Sequence, residues 1–210
     1  MTNQDKRQVL LYVIILVIGI MFNNSCNSAK NKNFKTEENL IPVAEKTIDI
    51  DLSLGRIEKY IDMEKKLNST DVTRDYFVDI SESIYPYIKN HSFEIPREFE
   101  FSPEPSIELN KSYYYTKDGD VKLILFEWNK KDTATVDNRK FKSIFTNLEK
   151  RISEKIGQYS SKRIVSEKVK NGKTYRDEVK WKTSELNAYL FRFGDRNNQF
   201  NQIRLSIYKD

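Results

Sequence analysis

The sequence predicts an α+β fold: an N-terminal helical hairpin, then an antiparallel sheet ordered β-β-α-β-β-β-β with one helix packed on a face. Three observations carry this. Two dipeptides that favour tight hairpin turns, Asp118-Gly119 and Asn171-Gly172, each sit between runs rich in β-branched and aromatic residues. One long stretch, Arg139 to Ile156, has a single apolar stripe at helical spacing. The 210-residue chain is 32% charged yet carries 12 Phe, 12 Tyr and 2 Trp, enough large rings to build a core with little Leu or Ala. Wholesale disorder, which goes with few aromatics, is excluded on the same ground.

In chain order, the first element is an address rather than a fold. Lys6 and Arg7 precede an unbroken apolar run of 14 residues, Val9 to Phe22. As a helix this run is about 21 Å long against a hydrocarbon core of about 30 Å, short for a span and suited to a signal peptide. Met21-Phe22-Asn23-Asn24-Ser25-Cys26 follows, with a small residue just before the chain's one cysteine and Asn23 where an aliphatic residue is usual. This stretch resembles the lipobox of bacterial lipoproteins. The resemblance implies cleavage before Cys26, a lipid on its thiol, and membrane attachment through that lipid. With Asn27 next in line, it implies the outer membrane, facing the periplasm. Two or more acyl chains anchor firmly where one is marginal. A lone cysteine also excludes an intrachain disulfide and a multi-cysteine zinc site.

The expected organisation is therefore a signal peptide over 1–25, a flexible tether over 26–46, a helical hairpin with a Pro-rich connection over 47–110, and an α+β domain over 111–210. The first helix is predicted to begin near Asp51 or Ser53, both good caps, with Leu54, Ile57, Ile61 and Leu67 on its apolar face. Asn68-Ser69-Thr70-Asp71 reads as a turn. Val72, Tyr76, Ile80, Ile84 and Ile88 then recur every four residues, which predicts a second helix, ended or kinked at Pro86. Pro96, Pro103 and Pro105 forbid a helix in the connection, although Phe99 and Phe101 alternating with Glu98 and Glu100 allow one short strand.

From Lys111 the expected strands are Tyr113–Lys117 and Val121–Trp128 about the first turn. The helix Arg139–Ile156 is stopped by Gly157, and Ile164–Val169 and Thr174–Trp181 flank the second turn. A third hairpin joins Leu186–Phe193 to Phe200–Tyr208. In its last strand Ile203, Leu205 and Ile207 share one side, and Gln202, Arg204 and Ser206 the other. This order resembles, as a pattern without a motif, small α/β sandwiches of the Mog1/PsbP kind.

The residues give little chemistry to build on. Net charge is +5, but no basic block or recognition motif accompanies it, so nucleic acid is not an expected partner. His91 is the single histidine and lies in a Pro-flanked connection, which leaves no motif for a catalytic triad. Asp118, Asp120 and Glu127 could be combined into a carboxylate cation site, but Asp118-Gly119 is already accounted for as a turn and the twelve-residue calcium loop is absent. No metal, cofactor or catalytic residue is expected. Tyr113, Tyr114, Tyr115, Trp128 and Trp181 are the candidate binding residues, because exposed rings suit glycan stacking or a protein hot spot. The function expected is a non-enzymatic, lipid-anchored envelope module that binds a protein partner. A small-ligand or glycan binder is the alternative, and a carboxylate-dependent hydrolase a weaker one.

Overall fold

The computed structural model describes residues 50–81, 84–85, 88–131, 138–170, 173–195 and 200–209. The chain is α+β, with an eight-stranded antiparallel sheet and two α-helices among the described residues. The elements are α1 (Ile57–Leu67), β1 (Thr70–Asp71), β2 (Arg97–Glu104), β3 (Ile107–Tyr115), β4 (Val121–Lys130), α2 (Asn138–Ile156), β5 (Ser161–Arg163), β6 (Thr174–Lys182), β7 (Asn187–Asp195) and β8 (Asn201–Tyr208). Across the sheet the order is β1-β2-β3-β4-β8-β7-β6-β5. Two four-stranded meanders thus meet at the centre, where β8 returns to pair with β4. Residues 47–110 and 111–210 share this sheet, since β2 pairs along β3. Among the described residues no helix is long and apolar enough to cross a membrane.

The predicted order from β3 onward stands, and its local causes are visible. The β3–β4 turn is a three-residue loop rather than a two-residue one. Gly119 N–H donates to the Thr116 carbonyl at 2.8 Å, with Gly119 at φ +85°. A Cβ there would meet only the movable tip of the exposed Arg56 side chain, so it is the positive φ that calls for glycine. The helix α2 buries Phe141, Phe145, Leu148 and Ile152 against Val179, Trp181, Leu190, Ile203, Leu205 and Ile207. Gly157, at φ +93°, ends it with its N–H on the Ser153 carbonyl.

Two expectations are corrected, and a third, the second helix of the hairpin, falls partly outside the described residues. The first helix starts at Ile57, not near Asp51 or Ser53, because the β3–β4 hairpin tip captures the chain before it. Ile57 N–H donates to the Gly119 carbonyl and Val121 N–H to that of Gly55, both at 2.8 Å. The predicted second helix shows no helical turn over 72–81, while residues 82–83 and 86–87 lie outside the described residues. Thr70 and Asp71 add instead to the edge of β2, Val72 N–H continues onto the Glu98 carbonyl, and Arg74 holds the Glu98 carboxylate with two hydrogen bonds of 2.7 and 2.8 Å. Edge pairing thus wins over a stripe whose members Val72 and Tyr76 stay exposed. Finally, the strand before β6 is Ser161–Arg163, not Ile164–Val169. After Arg163 the chain is drawn off the ladder by the buried Asp177 carboxylate, which accepts from Val165 N–H at 2.8 Å and Ser166 N–H at 2.9 Å. Asn171 and Gly172 lie outside the described residues.

Both helices cover the same face of the sheet. Under α1, Tyr60 stacks on Tyr113 with ring centroids 4.8 Å apart. The fully buried Glu64 carboxylate accepts from Lys111 Nζ, Tyr113 OH and Ser69 Oγ, each at 2.5 Å. Burial pulls the Lys111 ammonium below its ordinary pKa against the opposing pull of Glu64. On the opposite face, Phe77, Ile80, Ile84, Tyr85 and Phe93 pack on Tyr114, Leu123, Leu125 and Tyr208. Ile80 and Tyr85 join Tyr114 and Leu123 in a second apolar cluster, and Phe77 and Phe93 set their edges against Tyr114.

A candidate binding groove on the open face

Strand alternation and register place the side chains of this face in rows. One row runs Glu127, Arg204, Phe191, Glu178 across β4, β8, β7 and β6; the next runs Asn129, Gln202, Phe193, Arg176. Cations and rings therefore meet along diagonals. The Arg176 guanidinium lies 4.5 Å from the Phe191 centroid, and that of Arg204 lies 5.8 Å from Phe193. Along β7 and into β8 the rings form a ladder: Tyr189–Phe191 at 5.1 Å, Phe191–Phe193 at 5.8 Å and Phe193–Phe200 at 5.0 Å.

Beside Ile84 these residues line a groove of about 590 Å³. Its walls are Ile84, Arg163, Arg176, Arg204, Phe191, Phe193 and Phe200, with Val165, Thr174, Tyr175 and Gly194 completing it. Gly194 lets the β7–β8 hairpin close beneath the groove. A Cβ there would meet the Phe200 carbonyl at 2.7 Å and Asn201 Oδ1 at 2.6 Å. Phe200 is 49% exposed and stands beside the half-buried Phe193 at the groove.

The electrostatics favour binding over acid–base work. Arg163 and Arg176 both pair with Glu178, at 3.1 and 3.3 Å, and Arg204 pairs with Glu127. Tyr189 donates to Glu178 at 2.7 Å and accepts from Arg176. Burial and the Glu178 bond push the Tyr189 hydroxyl up to about 12, so it keeps its proton. Burial would raise Glu178, but the Tyr189 hydrogen bond and the Arg163 pair outweigh it and hold the carboxyl below its ordinary value. A general acid needs the opposite shift. Glu127 and Glu178 also stand three strand spacings apart, about 14 Å, wider than a glycosidase pair.

The sequence-derived candidates fall elsewhere. Tyr113, Trp128 and Trp181 are buried in the core under the helices, where the Trp181 indole N–H donates to Ser153 Oγ at 3.1 Å. Tyr114 is buried beneath the cover on the other face, and Tyr115 is half-buried against the core. Alternation across the Tyr113–Tyr115 run does send neighbouring rings to opposite faces, but both faces are covered there. Tyr113, Trp128 and Trp181 meet only inside the core, with Tyr115 against it and Tyr114 on the other face, and the four buried rings offer no surface. His91 sits edge-on to Phe93, its pKa lowered by burial and then by Lys122. Asp120 pairs with Arg56 and Lys122, and no cluster of three metal-ligating side chains occurs among the described residues. Cys26 and the apolar run before it lie outside the described residues. A second cavity, lined by Tyr60, Lys111 and Tyr113, measures about 10 Å³ and holds at most one water.

The groove arginines and phenylalanines, Arg163, Arg176, Arg204, Phe191, Phe193 and Phe200, escaped the sequence reading. The usable signal was the alternation within β7 and β8, which sets Phe191 and Phe193 on the face opposite Leu190 and puts Arg204 beside them. No protein-family model matches the chain, and neither curated proteins nor solved structures give a match.

Proposed function

We propose that the chain is a lipid-anchored envelope module, held in the outer membrane through Cys26 and facing the periplasm, that binds a protein partner in the open-face groove and catalyses no reaction. The observation that carries the binding role is the groove itself: three arginines beside the half-buried Phe193 and over the buried Phe191, with an exposed Phe200 at its mouth. Arg and aromatic side chains are the residues most enriched at energetic hot spots of protein interfaces. The anchor rests on the charged start, the short apolar run and the Ser25-Cys26 pair.

Two experiments test the two halves. Fatty-acid analogue labelling of wild type and Cys26→Ala is expected to label the first and not the second; equal labelling overturns the anchor. A photo-reactive phenylalanine analogue at position 200 of the lipidated protein is expected to form an adduct with an envelope protein. The same group at Glu154, on the exposed side of α2, is expected to form none. Equal adducts at the two positions, or none at 200, overturn the groove.

A further inference from the structure

We propose that Lys111 and Glu64 condense into an intramolecular isopeptide bond that staples α1 to β3 through the core. Position is the first argument. Lys111 Nζ donates to Glu64 Oε2 at 2.5 Å, and the two side chains are 1% and 0% exposed. The Glu64 carboxyl carbon lies one bond beyond that oxygen, which brings it to the about 3–3.5 Å of a near-attack arrangement. Aromatic rings wall off the pair. Nζ is 5.6 Å from the Phe101 centroid, and Tyr60 and Phe99 both pack on Tyr113.

The surrounding groups supply the chemistry. Amide formation needs a neutral amine and a polarised carboxyl. Burial pulls the Lys111 ammonium below its ordinary pKa despite the pull of Glu64, and the hydrogen bond gives its proton a direct route to Oε2. Tyr113 OH donates to Oε1 and Ser69 Oγ to Oε2, each at 2.5 Å. The Nζ lone pair attacks the carboxyl carbon, and the carbonyl electron pair moves onto Oε1, where the Tyr113 hydroxyl holds the developing charge. Collapse restores the carbonyl and expels Oε2 as water. Two of the three ammonium protons leave with that water and the third stays on the amide nitrogen, so ammonium and carboxylate give amide and water with no other reactant. The adjoining cavity of about 10 Å³, lined by Tyr60, Lys111 and Tyr113, has room for the one water released. The product also removes a desolvation penalty, since one neutral amide replaces two buried ions.

The place of the bond suits an anchored chain. A pull through the tether reaches Ile50, whose carbonyl accepts from Lys155 Nζ at 2.9 Å, and then α1, before it reaches the sheet. A covalent link from α1 to β3 passes that load to a strand paired on both sides. That use rests on the lipid anchor; the bond does not.

The test denatures the full-length lipidated protein in urea, digests it with trypsin and reads the peptides by mass spectrometry. Glu64 falls in the peptide Tyr60–Lys65, and an acylated Lys111 resists cleavage, which keeps Glu98–Lys117 whole. The expected product is a branched peptide joining these two, lighter by one water than their sum. Recovery of unbranched Tyr60–Lys65 with separate Glu98–Lys111 and Ser112–Lys117 overturns the proposal. Lys111→Arg keeps the ion pair and is expected to abolish the branch. Tyr113→Phe removes the donor at Oε1 and is expected to lower the branched fraction at least tenfold in chains sampled soon after synthesis; an equal fraction contradicts the chemistry assigned to Tyr113. None of these peptides contains Cys26, so a missing branch leaves the anchor and the groove untouched.

Discussion

Arg192 and Arg176 belong to adjacent strands and sit one register step apart, yet on opposite faces of the sheet. Both guanidinium groups lie against aromatic rings and both have a carboxylate partner. Arg192, with a side chain only 4% exposed, is closed in by Asp177 at 2.7 Å, Ser166 at 3.0 Å and the Tyr175 ring, with Phe145 of α2 above it. Arg176 is 41% exposed, and neither described helix packs on its face. The same residue type serves as an internal fastener on one face and as a presented contact on the other. The difference lies in whether a second layer of chain closes over the pair. Under α2 the pair pins the 164–170 connection; over β6 and β7 the pair is left facing outward, which is why the groove and not the core is assigned the binding role.

This contrast breaks most sharply on stability. Arg192→Ala leaves the Asp177 carboxylate buried without its cation and is expected to lower unfolding stability by about 3–5 kcal/mol in urea titrations. Arg192→Met with Asp177→Asn should recover most of the loss, because neither charge is then stranded. Arg176→Ala removes a half-exposed pair and is expected to cost about 1 kcal/mol or less. Comparable losses for the two single variants would erase the distinction between the faces.

A smaller effect sharpens the buried half. Burial raises the Asp177 carboxyl, but hydrogen bonds from Ser166, Arg192 and Val165 outweigh it and hold its pKa below the ordinary 3.8. A depressed folded pKa means the unfolded chain binds the proton first as pH falls. The contribution is therefore present above 3.8 and lost as pH drops through the folded value. The amide resonances of Val165 and Ser166, which donate to this carboxylate, are expected to titrate together with a midpoint below 3.8. A midpoint at or above it contradicts the pinning role.

Much of the architecture was readable because it is written in local chemistry. Gly119 and Gly157 mark real left-handed positions, and the Phe141–Ile152 stripe really packs on the sheet. What escaped depends on contacts far apart in the chain. The start of α1 is set by hairpin-tip hydrogen bonds from Gly119, some sixty residues away. The loss of a strand at Ile164–Val169 is set by one buried aspartate. The site escaped for a related reason. Tyr113, Trp128 and Trp181 are conspicuous by type, but conspicuous rings on central strands are the ones a core absorbs. Phe193, Phe200 and Arg176 matter because of which face they occupy and what fails to cover it, and neither property is visible without the register.

The central claim is that the uncovered face binds a partner through Arg176 and its neighbours while the covered face only holds the fold. Photo-cross-linking from position 200 in the lipidated protein, compared between the wild-type background and Arg176→Glu, tests it most directly. The account predicts one envelope-protein adduct in the first, its loss in the second, and unfolding free energies that agree within about 1 kcal/mol. An adduct of equal yield in both backgrounds would contradict it.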